Sequence, residues 1–285
     1  MKIHLFVSLL LGLIVGFVVN GCSEKVETEE KQAVVEEEVK EVDIVEEIVA
    51  NRIRGIIIPR IDFEDRTVEE AIDFIRLRSS EIDPPHPDPT KRGLSVVIRR
   101  PKNVSSPEAS GDADDDLLDD QLTSARIPEL RLRNVSVTAA LRYICIMTNL
   151  RCEVDGCLVI SQKVPNTAWD DVGSLLEEKG DTTVISQKLS QIRLPRVDFE
   201  NTSIHEAIDF LRLRSAELDI TSIDAGRKGI NFVLYIPKGM ETPYIDKLQI
   251  RDASFEEVLK EICSKTGMRY ELDAYSVILI PKDLK

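Results

Sequence analysis

Hydrophobic positions along this chain switch between the period of a strand and the period of a helix, and they run through that cycle twice. The second pass is the clearer one. "IRLPRVDF" (192–199) sets Ile192, Leu194, Val197 and Phe199 around a proline, as an edge strand does. Ser203 and Glu206 then form a capping box, each satisfying an otherwise unpaired backbone N–H, and predict a helix from 204. Ile204, Ala207, Ile208 and Leu211 line one face of it, widened by Phe210 and Leu213. "GINFVLYIP" (229–237) and "IDKLQIRDAS" (245–254) predict two further strands. A second helix, "FEEVLKEICSKTG" (255–267), opens with a Ser254–Glu257 box and stops at Gly267. "MRYELDA" and "YSVILIP" predict a closing hairpin about Asp273-Ala274. The order β-α-β-β-α-β-β places the chain in the α+β class, with two helices on one face of a small mixed sheet.

The first pass is a copy of the second. "IPRIDFEDRTVEEAIDFIRLRSSEID" (58–83) lies over "LPRVDFENTSIHEAIDFLRLRSAELD" (194–219) without a gap, at a shift of 136. "LRLRNVSVTAALRYICIMTNLRCEVDGCLVI" (130–160) lies over "LQIRDASFEEVLKEICSKTGMRYELDAYSVI" (248–278), again without a gap, at a shift of 118. The fall in shift leaves 18 extra residues in the first copy, within an acidic, turn-rich stretch about residues 105–124 that reads as a surface loop. Thr67 and Glu70 repeat the capping box. The unit is a duplicated domain, too long for a solenoid repeat. The layout expected is a signal segment 1–21, an acidic tether 22–52, a first domain 53–163, a linker 164–190 and a second domain 191–285. Within the linker, "TAWDDVGSLLEEK" (167–179) predicts a connecting helix.

The opening "MKIHLFVSLLLGLIVGFVVNGC" follows neither period. One lysine, an apolar run from Leu5 to Val19 and small residues after it have the layout of a secretory signal peptide. The run is shorter than the roughly 20 residues that span a bilayer, so cleavage is favoured over a permanent span. Val19-Asn20-Gly21-Cys22 resembles a bacterial lipobox, with Gly21 and Cys22 fitting and Val19 and Asn20 departing from the commonest residues. That resemblance implies lipidation at Cys22 and a protein held to a membrane, facing the periplasm or the cell exterior. The Glu- and Val-rich stretch that follows, without aromatic residues, glycine or proline, reads as a tether extended by like charges. A net charge of −14 opposes nucleic acid as a partner.

The second block of each copy also resembles the short domain at the N-termini of secretins and TonB-dependent receptors, the STN domain. The features that carry the likeness are the "LQIRDAS" strand, the "EEVLKEIC" helix, the glycine, "RYELD" and the "VILI" strand; the first copy has Asn149 at the glycine position. The family implies a periplasmic protein-docking role without chemistry. No barrel or ring region follows these domains in the chain, so the expectation is a binding module or scaffold for other envelope proteins, using exposed sheet edges. An accessory part of a secretin or TonB-linked complex is the alternative.

The sequence carries few residues in arrangements that support chemistry. His4, His86 and His205 share no ligand spacing, and His205, replaced by Glu69 in the first copy, reads as a solvated helix position. Asp112, Asp114 and Asp116 have the opening spacing of a calcium loop. Leu117 and Thr123, however, stand where glycine and the bidentate glutamate belong. A metal-dependent enzyme built on Asp112–Asp120 is a further alternative. Cys145 and Cys263 match on the inner face of the second helix; Cys152 and Cys157 flank the Asp155-Gly156 turn, where a bridge is open to either outcome. Neither a nucleophile–base pair nor a phosphate loop appears, so no catalytic residue, metal ligand or cofactor is expected. The repeated "RLRS" reads as fold support, with Arg76, Arg78, Arg212 and Arg214 pairing with Glu81 and Glu217 or with Asp62 and Asp198.

Overall fold

The computed structural model describes residues 53–83, 93–99, 125–154, 157–163 and 180–284, together with positions 51, 168 and 172. Cys22, most of the acidic tether, His86, Asp112–Asp120, the Asp155-Gly156 turn and most of the expected 167–179 helix lie outside the described residues.

The architecture is α+β, built from two repeated halves. The first half runs β1 (Ile57–Thr67), α1 (Val68–Ile82), β2 (Val96–Ile98), β3 (Arg126–Ser136), α2 (Val137–Thr148), β4 (Leu150–Val154) and β5 (Leu158–Gln162). In the second half come α3 (Thr183–Gln191), β6 (Arg193–Ser203), α4 (Ile204–Leu218), β7 (Asn231–Leu234), β8 (Tyr244–Ser254), α5 (Phe255–Thr266), β9 (Met268–Leu272) and β10 (Ser276–Pro281).

In each half the strands divide between two sheets. The long strands pair as two-stranded antiparallel ribbons, β1 with β3 and β6 with β8. The short ones form three-stranded mixed sheets, ordered β2-β5-β4 and β7-β10-β9, in which one pair is parallel and the other is the closing hairpin.

All three capping boxes form. The Thr67, Ser203 and Ser254 hydroxyls accept from the N–H groups of Glu70, Glu206 and Glu257, whose carboxylates take the cap N–H groups in return. Gly267 and Asn149 both end their helices in the left-handed conformation, at φ 66° and 56°.

Two features differ from the sequence reading. Val154 pairs with Leu158 in the first hairpin, whereas Leu272 pairs with Val277 in the second, so the second turn is one residue longer. Leu158 therefore takes the place of Val277 and not of Ser276. A one-residue slip turns every side chain of a strand to the opposite face. The insertion is what keeps Leu158 and Ile160, like Val277 and Leu279, pointing into their own cores.

The second is α3, a helix at the end of the stretch expected as linker. Ile185 and Leu189 of α3 enter the second core. At the shift of 136, Leu189 matches Ile53, which lies in a helical turn at 53–55 and is buried in the first core. Among the described residues, no helix is long and apolar enough to cross a membrane.

Candidate functional site

The phrase "AIDF(I/L)RLRS" is decoded by packing. Ala71, Ile72 and Ile75, like Ala207, Ile208 and Leu211, fill the cores. Phe74 stands edge-on to Phe63 with ring centroids 5.2 Å apart and carries the Arg78 guanidinium 5.5 Å above its face. Phe210, Phe199 and Arg214 repeat this geometry. Arg78 and Arg214 also pair with Glu81 and Glu217 at 2.7 Å. The other arginines bind Asp73 and Asp209, one turn back on the helix, and not the strand acids Asp62 and Asp198. Those acids are held by Arg60 and Arg196, each two residues earlier on the same strand. The serine of the phrase is fully buried: Ser215 donates to the Arg212 carbonyl and accepts from the Ile230 N–H just before β7. Leu77 and Leu213 do not widen the core face, for both are 60% exposed.

What the two copies do not share is the junction between them. Every residue of α2 from Val137 to Ile146 is buried, so the helix is covered on both sides. Its second side meets Val233, Ile278 and Ile280, which project from the β7-β10-β9 sheet into the first core. In α5 the matching positions are solvent-facing and mostly charged. Glu256, Glu257, Lys260, Glu261, Ser264 and Lys265 stand where α2 has Thr138, Ala139, Arg142, Tyr143, Ile146 and Met147.

Polar groups tie the junction down. Arg212 reaches Glu129 at 3.0 Å, and Arg131 approaches Asp209 at 3.5 Å and Asp62 at 3.4 Å. Arg142 faces Asp273 at 3.6 Å, both nearly sealed from solvent. Burial lifts the Asp273 carboxyl above its ordinary value even though Arg142 pulls the other way. His205 is half-buried in a crevice of about 60 Å³ beside Glu129 and Arg212, and so faces the junction instead of open solvent.

Beside the junction opens a cleft of about 510 Å³. One wall is Arg133-Asn134 at the outer edge of β3, and the other is the loop between α4 and β7. A buried clasp shapes this loop. Asp219 accepts from Lys188 at 2.9 Å, from the N–H groups of Thr221 and Gly229, and from the Thr221 hydroxyl. Burial would raise the Asp219 carboxyl, but the bonds from Thr221, Lys188 and Gly229 and the Lys188 charge outweigh it and hold it well below the usual range. Lys188 also donates to the carbonyls of Arg227 and Gly229.

Gly229 sits at φ +87°, and a Cβ there would come within 3.0 Å of the Ala216 backbone. The first half repeats the glycine bond of this clasp, with the Gly93 N–H on Asp83 at 3.0 Å. This element was missed in the sequence. Its signal was present: the shift of 136 continues from Asp83/Asp219 to Gly93/Gly229 without a gap.

The loop turns Ile220 and Ile223 outward, 93% and fully exposed, near Val184 at 57%. Among the described residues, the Arg133 and Lys228 side chains at the cleft have no acidic partner and no hydrogen bond, while Arg227 lies 3.7 Å from Asp224.

All four described cysteines, Cys145, Cys152, Cys157 and Cys263, are free thiols. Cys152 pairs across the hairpin with Ile160, not with Cys157, and is buried while Cys157 is half-exposed. Among the described residues no group of three or more His, Cys, Asp or Glu is placed to hold a metal. Comparison with protein-family models, curated proteins and solved structures found no match to this chain.

Proposed function

We propose that this chain is a non-catalytic scaffold of the cell envelope, lipid-anchored through Cys22, that holds other proteins on its duplicated STN-like halves. The observation that carries this reading is the open outer edge of β8. In the first half the matching edge of β3 is occupied: the Arg133 N–H and C=O both point away from β1 and are taken by Asn231. Arg251 holds the same register position in the second ribbon, opposite Arg196 as Arg133 is opposite Arg60. Among the described residues no strand pairs along that edge, and no side chain bonds the Arg251 N–H or C=O as Asn231 bonds those of Arg133. An eleven-residue strand with one free edge is a template for an added partner strand, with main-chain hydrogen bonds supplying affinity and alternate side chains supplying selectivity.

The test is a photo-crosslinking residue placed at Gln249 in cells, next to the same residue placed at Glu261 on α5. Capture of one defined envelope protein from Gln249 alone, weakened by Gln249→Pro and by Cys22→Ala, supports the reading. Equal capture at both positions, or capture indifferent to Gln249→Pro, overturns it.

A further inference from the structure

We infer that the cleft between the Asp219–Gly229 loop and the β3 edge is a second binding site, and that its ligand is an extended acidic peptide segment carrying aliphatic side chains. The inference rests on the reading of the chain as a protein-binding module but concerns a different surface from the β8 edge.

Three observations converge on it. The first is charge. The chain carries a net −14, and most of its described basic side chains are held by acids, as Arg60, Arg78, Arg196 and Arg214 illustrate. Arg133 and Lys228 are among the exceptions, and the fold brings these two to one cleft, where the neighbouring Arg227 is balanced by Asp224 at 3.7 Å. Cations left without partners in an acidic protein form a local field of the opposite sign, which attracts carboxylates and repels basic segments.

The second is apolar surface. Ile223 and Val184 line the cleft and Ile220 stands next to it in the same loop. Exposed aliphatic side chains grouped at a concave site, unlike scattered ones, mark a contact surface. They suit a peptide's aliphatic residues and add nothing for a small inorganic anion.

The third is rigidity. The loop that presents them is fixed from beneath by the Lys188–Asp219 clasp, and the opposite wall by the Asn231–Arg133 bonds. A preformed site loses less freedom on binding than a floppy one. A volume of about 510 Å³ suits a few side chains of an extended strand. The walls come from both halves, so neither half alone completes the site.

The experiment is a fluorescence-anisotropy titration of the full chain with a labelled octapeptide in which Glu alternates with Leu. A Lys–Leu octapeptide and a single-stranded oligonucleotide serve as competitors. Saturable binding that weakens as salt is raised is expected, reduced at least about tenfold by Lys228→Glu and by Arg133→Glu. Both side chains are exposed, so thermal melting of these variants should match the parent. Ile223→Ser should weaken binding while leaving its salt dependence unchanged.

Absence of saturable binding at millimolar peptide overturns the inference. So does binding that ignores both charge reversals, or equal competition by the Lys–Leu peptide. Stronger competition by the oligonucleotide than by unlabelled peptide would make this a polyanion site, and the peptide assignment would fall. Gln249→Pro should leave the titration unaltered. Its failure to affect peptide binding, alongside loss of partner capture in cells, separates the fate of this cleft from that of the β8 edge.

Discussion

Asn231 plays the part of a peptide unit against Arg133. Its Oδ1 accepts the Arg133 N–H at 2.9 Å, and its Nδ2 donates to the Arg133 carbonyl at 3.0 Å and to the Tyr275 carbonyl at 2.8 Å. One side chain thus closes the edge of the first half's ribbon with the opening residue of β7. Asn231→Ala should cost roughly 1–2 kcal/mol in chemical denaturation and speed amide exchange at Arg133. In Asn231→Asp the acceptor survives and the donors are lost, so the Arg133 amide should stay protected while stability still falls. Unchanged exchange at Arg133 in the alanine variant would contradict the bridging role.

The two faces of the repeat helix predict opposite responses to swapping residues between copies. Ile146→Ser, which puts the α5 residue into the buried face of α2, should cost roughly 3–5 kcal/mol, since it opens a cavity and buries a hydroxyl. Ser264→Ile on the wet face of α5 should move stability by no more than about 0.5 kcal/mol. Urea melts of the two variants decide the matter, and equal losses would mean that the halves do not fuse through α2.

Acid should loosen the Asp219 loop. The unfolded carboxyl titrates near about 3.9, and the folded one lies well below its usual range. The stability this contributes is whole above about pH 4 and drains away as pH falls toward the folded value. Asp219→Asn should flatten the acid limb of a stability–pH curve. Near neutral pH it should also cost several kcal/mol, because Lys188 is left buried without its counter-charge. Asp273 works with the opposite sign. Its raised carboxyl contributes stability that is full below about pH 4 and is lost as pH rises through the folded value.

Gly229→Ala should destabilise by roughly 1–3 kcal/mol, because φ is +87° and the new methyl would press on the Ala216 backbone. Gly267→Ala, with nothing near its missing Cβ, should cost less; it carries only the strain of φ +66°. A thermal-melt comparison in which Gly267→Ala is the worse of the two would refute the packing argument.

Thiol labelling of the native protein, mapped by mass spectrometry, should find Cys157 the most reactive of the described cysteines. Burial pushes the Cys152 thiol up to about 12 and that of Cys263 to about 11, and lifts Cys145 well above its ordinary value. Those three should label only on unfolding. Early labelling of Cys152 would place it outside the core.

What the sequence alone determined was local. Helix starts were legible at Thr67, Ser203 and Ser254 because a capping box closes within three residues and needs no distant partner. The duplication and the α+β order were legible because apolar spacing and turn residues act over a few positions. The Arg78–Glu81 and Arg214–Glu217 pairs were legible for the same reason, one helical turn separating their members.

The tertiary structure alone decided which of two nearly equal copies is covered and which is open. α2 and α5 share a core face, but only α2 is sealed on its other side; the sequence difference between Tyr143 and Glu261 gains meaning once the β7-β10-β9 sheet is seen against it. Arg212 bridges to Glu129 while its twin Arg76 stays within its own half. Asn231 meets Arg133 across 98 positions of chain, and Lys188 meets the Arg227 carbonyl across 39. Short-range patterns fix where a helix begins because the interacting groups travel together along the backbone. A docked face, a clasp or a cleft depends on which distant segments the packing of apolar surface brings together, and no spacing rule along the chain encodes that meeting.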